Sequence, residues 1–154
     1  MKALTLTQPW AYLVAHGHKG IETRSWSTHY RGVIAIHAAR ALPPDALLFA
    51  LAIFGHNRSE MERLCPRGVI VATATILNVL PTGSPAVVAA LDSRPQEKIY
   101  GDFTPGRYAW FLELQTIMTP PRPARGALGL WDWVDEESPE SPQQGELTMP
   151  GEPG

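Results

Sequence analysis

Two long β-forming runs constrain this chain more than anything else in it. Val69 to Leu80, entered through Gly68, is rich in Val, Ile and Thr. Tyr108 to Met118 alternates, with Tyr108, Trp110 and Leu112 on one face and Ala109, Phe111 and Glu113 on the other. Shorter runs with strand character flank them at Ala3–Leu6, Ile21–Trp26, Val33–Ala38 and Leu130–Val134. The Val33–Ala38 run is apolar on both faces apart from His37, which marks it as a central strand. Helical signals fall between the strands. Pro9 to His16 starts behind a capping Thr7 or Gln8, puts Trp10, Leu13 and Val14 on one stripe, and ends at Gly17. Ala46 to Phe54, opened by Pro43-Pro44-Asp45 and closed by Gly55, is apolar nearly all round and is expected to be largely buried. Ser59–Leu64 and Ala86–Leu91 read as short helices, residues 92–107 as a polar loop long enough to be functional, and Thr119–Pro123 as a proline stop. About six strands with two to three flanking helices, in mixed order, predict an α+β domain on a small, strongly bent sheet or partial barrel.

The 154-residue chain is net −2, but its charge is unevenly spread. Residues 1–135 hold all 13 Lys and Arg against 10 acidic residues, a net of +3, while 136–154 carry five Glu and no cation. The first segment is expected to be one mildly basic folded domain. The second, dominated by Ser, Pro, Glu, Gln and Gly, is expected to be an acidic disordered tail. A single cysteine, Cys65, excludes an intrachain disulfide, and His16-x-His18 lacks an evident third or fourth ligand, so no metal or cofactor is expected. The N-terminus is too short and alternating for a signal peptide, and the longest apolar run is about half of the ~18–20 residues that span a bilayer. A cytoplasmic location with no membrane partner is the expectation.

The segment Gly17-His18-Lys19-Gly20-Ile21-Glu22-Thr23-Arg24-Ser25-Trp26 concentrates the chemistry. On an extended Ile21–Trp26, Glu22, Arg24 and Trp26 share one face, and Lys19 in the preceding turn leans over it. Spacing alone allows two readings: a surface ion pair beside a half-buried Trp, or a charged, aromatic-rimmed patch for a planar, phosphate-bearing ligand. His37 is similarly open between a hydrogen-bonded core residue and a reactive one.

Taken together, Gln8-Pro9-Trp10, Gly17-x-Lys19-x-x-Glu22-x-Arg24-x-Trp26 and Tyr30-Arg31-Gly32 with Ala35-Ile36-His37-Ala38 resemble the ASCH domain family. Gly106-Arg107-Tyr108-Ala109-Trp110 and Gly126-x-x-Gly129-Leu130-Trp131 look like its closing motifs, so the similarity spans roughly residues 2–134. The resemblance implies a PUA-like small β-barrel with helices at its side and a cleft beside the first helix. It also implies an RNA association. The GxKxxExR element is expected to line that cleft, with Lys19, Glu22 and Arg24 at the floor and Trp10 and Trp26 as walls. His37 and Tyr108 complete the expected binding set.

Lys19 and Arg24 suit phosphate, Glu22 can accept from an exocyclic amine or a ribose hydroxyl, and a Trp can stack a base. That set predicts binding of RNA or a modified nucleotide. A hydrolase is the rival class, with Lys19 and Glu22 as its candidate catalytic residues. One version is a ribonuclease in which Lys19 stabilises a phosphorane and Glu22 or His37 acts as base. The other is an acetylcytidine amidohydrolase of the kind found among small ASCH-like proteins. Those carry a nucleophilic Thr where this chain has Glu22, and no Asp or Glu lies between Glu62 and Asp92 to supply the distant acid. A protein partner held through the acidic tail is a further class.

Overall fold

The structure, a computed structural model, describes residues 1–136. The acidic disordered tail expected over 136–154 therefore lies, but for Glu136, outside the described residues. Six strands form one mixed sheet: β1 (Lys2–Leu6), β2 (Ile21–Arg24), β3 (Gly32–Ala38), β4 (Val69–Pro81), β5 (Tyr108–Pro123) and β6 (Leu130–Asp132), in the order β2-β5-β4-β3-β1-β6. β1 and β3 are parallel and every other pair is antiparallel. Register shifts at Ile36/His37 in β3 and at three places along β4 each insert a local bend. The sheet accordingly curls into a half-barrel with β2 and β6 as open edges. The expected α+β class and six strands are both present.

Five helices occur among the described residues rather than two to three: α1 (Trp10–Ala15), α2 (Pro44–Ile53), α3 (Arg58–Leu64), α4 (Pro85–Ser93) and α5 (Glu97–Tyr100). α5 is a single turn inside the stretch read as loop, too short to show a periodicity. α1 closes the concave face, where Leu4, Leu6, Val14, Ile34, Ile36, Ile76 and the fully buried Trp110 form the main core. Its start is held by Gln8, whose side-chain carbonyl accepts from Tyr12 N–H at 2.9 Å while its amide donates to the Pro66 carbonyl at 2.8 Å. Neither expected residue holds the N-cap position, which falls to Pro9; Gln8 instead braces the first turn from within the core.

Three expectations are corrected. α2 is not largely buried: only Ala46 and Ala50 are enclosed and Leu48 is 65% exposed. The helix lies at the rim, with Phe49 stacked on Trp10 and Phe54 edge-on to Tyr12. β5 does not stop at Thr119 but runs on to Pro123. Pro120 and Pro121 sit in the gap between the Ala72↔Ile117 and Ile70↔Arg122 pairs, where a missing N–H forfeits no ladder bond. Finally, β2 ends at Arg24, two residues earlier than expected, and the chain turns so that Trp26 meets Trp110 edge-on at 4.9 Å.

Candidate functional site

The turn after α1 determines where Lys19 goes. Gly17 takes φ +77°, and the Leu13 carbonyl then accepts from both His18 N–H (2.8 Å) and Lys19 N–H (3.0 Å). This pair of hydrogen bonds reverses the chain tightly and drives the Lys19 side chain beneath the sheet, where it is 0% exposed. Its ammonium donates to the Ile21 carbonyl and pairs with Glu22 Oε1 at 3.1 Å. Glu22, 12% exposed, receives Arg24 Nε on its other oxygen at 3.0 Å. Arg24 Nη2 donates to the Thr5 carbonyl at 2.7 Å. A continuous polar chain therefore runs from a buried cation, through a carboxylate, to a guanidinium that is 24% exposed and tied to the end of β1.

Glu22 and Arg24 open onto a cleft of about 340 Å³ between the ends of β1 and β2 and the start of α1. Its opposite wall comes from Tyr100, Gly101, Asp102 and Arg107. The Trp10 indole lines the cleft and donates to the Tyr100 carbonyl at 2.7 Å. Asp102 N–H donates to Thr23 Oγ1 at 3.2 Å, and Arg107 Nη2 donates to the Thr23 carbonyl at 3.2 Å. The Thr104 hydroxyl and backbone N–H on Asp102 hold its carboxyl below the usual carboxylate range. This wall is anchored from behind by Glu97, wholly buried, which accepts from Gly20 N–H at 2.8 Å and pairs with Arg94 at 3.1 Å.

Of the predicted site residues, Trp10, Glu22 and Arg24 share the cleft, and Lys19 lies behind it rather than in it. Trp26 and Tyr108 pack against the main core and do not line the cleft. His37 is on the other side of β1, away from the Lys19–Glu22–Arg24 chain. Its Nε2 faces the Ala124 carbonyl at 2.8 Å, which can only accept, so Nε2 carries the proton. Nδ1 then accepts from the Thr5 hydroxyl at 3.1 Å, and that hydroxyl accepts from the Trp131 indole at 2.9 Å. Burial holds the His37 pKa below its ordinary value, which suits this neutral, fully bonded ring. Sequence reasoning did not place Thr5, Tyr100, Asp102 or Arg107 at the site; the available signals were the length of the 92–107 stretch and Arg107 within the Gly106–Trp110 motif. Among the described residues no three His, Cys, Asp or Glu side chains cluster as metal ligands, and no helix is long and apolar enough to cross a membrane.

A comparison with curated proteins returns no match. Against protein families, residues 4–110 match the ASCH domain. That span takes in the turn after α1, the GxKxxExR element and both walls of the cleft, and stops short of the Gly126–Trp131 motif. With more than half of its length matched, the chain belongs to the ASCH domain family.

Proposed function

We propose that the cleft beside α1 binds a single unpaired nucleotide, as part of RNA or as a modified nucleotide. The observation that carries this reading is the Lys19–Glu22–Arg24 chain, which presents one carboxylate and one guanidinium at the mouth of a cleft and pairs the carboxylate with a buried ammonium from behind. The cleft volume is near the lower end of the ~300–1,000 Å³ range typical of small-molecule sites. Arg24 and Arg107 offer planar guanidinium groups for phosphate oxygens. Glu22 and Asp102 can accept from an exocyclic amine or a ribose hydroxyl, which is how splayed RNA bases are read. Trp10 supplies an aromatic wall already fixed by its bond to Tyr100 and by Phe49 stacked on it at 5.3 Å. Lys19 is a positioning residue in this scheme, since its ammonium is used up within the protein.

The test is calorimetric titration of nucleoside monophosphates, including modified cytidines, and of short single-stranded RNA. Arg24→Ala and Arg107→Ala should each weaken binding roughly ten- to 150-fold, the equivalent of ~1.5–3 kcal/mol for a charge-assisted hydrogen bond. A wild-type protein that binds none of these ligands, or variants that bind as tightly as wild type, would sink the proposal.

A further inference from the structure

A groove of about 1150 Å³, larger than the cleft, lies on the other side of β1. Thr5 lines both. Its carbonyl accepts from Arg24 at the cleft, and its hydroxyl bonds His37 at the groove, so the two concavities meet at the end of β1. The groove runs between the segment after β3 and the segment after β5, and its charged lining is Arg40 and Arg125. Arg40 lies across Gly68, its guanidinium within ordinary van der Waals reach (3.6 Å) of where a Cβ would sit, and Gly68 itself takes φ +72°. Arg67 is at the same edge, donating to the Arg40 carbonyl at 2.7 Å. Among the described residues no carboxylate comes within 4.0 Å of Arg40, Arg67 or Arg125, while the neighbouring Arg58 is taken by Glu62 at 2.9 Å.

We propose that this groove carries the sugar-phosphate backbone of single-stranded RNA whose nucleotide occupies the cleft, so that the natural ligand is a strand and not a free nucleotide. The inference rests on the nucleotide reading of the cleft and extends it. Three features favour a polyanionic strand. The groove exceeds the ~300–1,000 Å³ that encloses one small ligand. No described carboxylate lies within 4.0 Å of its two cations, which leaves both guanidinium groups for phosphate oxygens; Asp132, Asp135 and Glu136 line the neighbouring concavity that Arg125 also borders. Apart from His37, whose ring nitrogens are both bonded, no aromatic side chain lines it, so it offers charge without a base-stacking platform. It therefore holds the backbone with little sequence preference and leaves base recognition to the cleft.

The experiment compares a mixed-sequence single-stranded oligoribonucleotide of about eight residues with the four nucleoside 5′-monophosphates, over a salt series. Arg40→Ala/Arg125→Ala should weaken oligonucleotide binding about tenfold and reduce the magnitude of its log–log salt slope by roughly 1.4, at ~0.7 for each phosphate that is no longer neutralised. Mononucleotide affinity should stay within about twofold of wild type, because neither arginine reaches the cleft. Arg40→Lys/Arg125→Lys should keep most of the salt slope. Both arginines are exposed, and matching melting curves confirm that the variants fold. Unchanged oligonucleotide affinity and slope would overturn the proposal, as would an equal loss for mononucleotides. An alanine variant that loses binding only to anionic phosphatidylserine vesicles would reassign the groove to a lipid surface. If Arg24→Ala leaves mononucleotide binding intact while the groove variant still weakens the oligonucleotide, the cleft reading fails and the groove stands.

Discussion

Replacing Lys19 by Met tests whether the ion-pair chain beneath the cleft holds the fold together. The substitution preserves most of the side-chain volume and removes one buried charge. Lys19 is 0% exposed and Glu22 only 12%, so the change leaves a carboxylate poorly reached by water and paired with Arg24 alone. Removing one member of a buried ion pair typically costs ~3–5 kcal/mol. Because Glu22 keeps Arg24 at 3.0 Å and some solvent contact, the lower end applies, about 3 kcal/mol. For a domain of this size that corresponds to a fall in Tm on the order of 10 °C. An exposed ion pair would instead be worth ~0–1 kcal/mol, and its loss would move Tm by no more than about 4 °C. Urea denaturation of wild type, Lys19→Met, Glu22→Gln and the double variant completes the cycle. The double variant should be more stable than the sum of the single losses predicts, with a coupling of at least ~1.5 kcal/mol. A Lys19→Met loss below ~1 kcal/mol together with no coupling to Glu22 would refute the claim that Lys19 acts from within the fold.

Three further outcomes are expected from the same geometry. His37 has a folded pKa below its ordinary 6.5, so the unfolded chain binds the proton more readily. Its contribution to stability is therefore full above about pH 6.5 and declines as pH falls below that value, and His37→Gln should flatten this part of a urea-denaturation pH series. A Cβ at Gly126 would sit 2.7 Å from His37 Cε1 and 2.9 Å from Thr5 Oγ1, so Gly126→Ala should destabilise by ~1–3 kcal/mol in thermal melts. Glu97→Ala strips Gly20 N–H of its acceptor, with an expected cost of ~1–3 kcal/mol. It should also raise hydrogen exchange across 97–107 and weaken ligand binding, since that segment is the far wall of the cleft.

Much of the fold was legible because its determinants are local. Alternation places Glu22 and Arg24 on one strand face, and the structure has them paired there; the helix stop at Gly17 brings Lys19 to Glu22, but from behind the cleft rather than over the shared face. What was not legible depends on partners distant in the chain. Burial of Lys19 requires the Leu13 carbonyl to accept two N–H groups, a bend that no residue pattern announces. The far wall of the cleft comes from Tyr100 to Arg107, which reach β2 only because Glu97 grips Gly20. Trp26 alternates correctly with Arg24 yet leaves the strand, because Trp110 offers it an edge-on contact and donates to its carbonyl at 3.3 Å. The prolines of β5 read as a stop because the break in pairing that accommodates them, four β5 residues against Val71 alone, appears only once β5 is laid beside β4. α2 read as buried because its apolar residues circle the helix, but only Ala46 and Ala50 are enclosed, while Leu47, Phe49 and Leu51 stay half-buried against α1 and α3 and Leu48 faces outward.

A nucleotide seated in the cleft beside α1 can be detected directly, because the five tryptophans are spread between the cleft and the core. In a titration of the isotope-labelled protein with a nucleoside 5′-monophosphate, followed by NMR, the Trp10 indole N–H and Arg24 Nε–H signals should move with a common saturation curve. The indole signals of Trp26 and Trp110, held in the core, should stay in place. Movement at Trp131 without Trp10 and Arg24, or no movement at any concentration, would contradict a nucleotide site in this cleft.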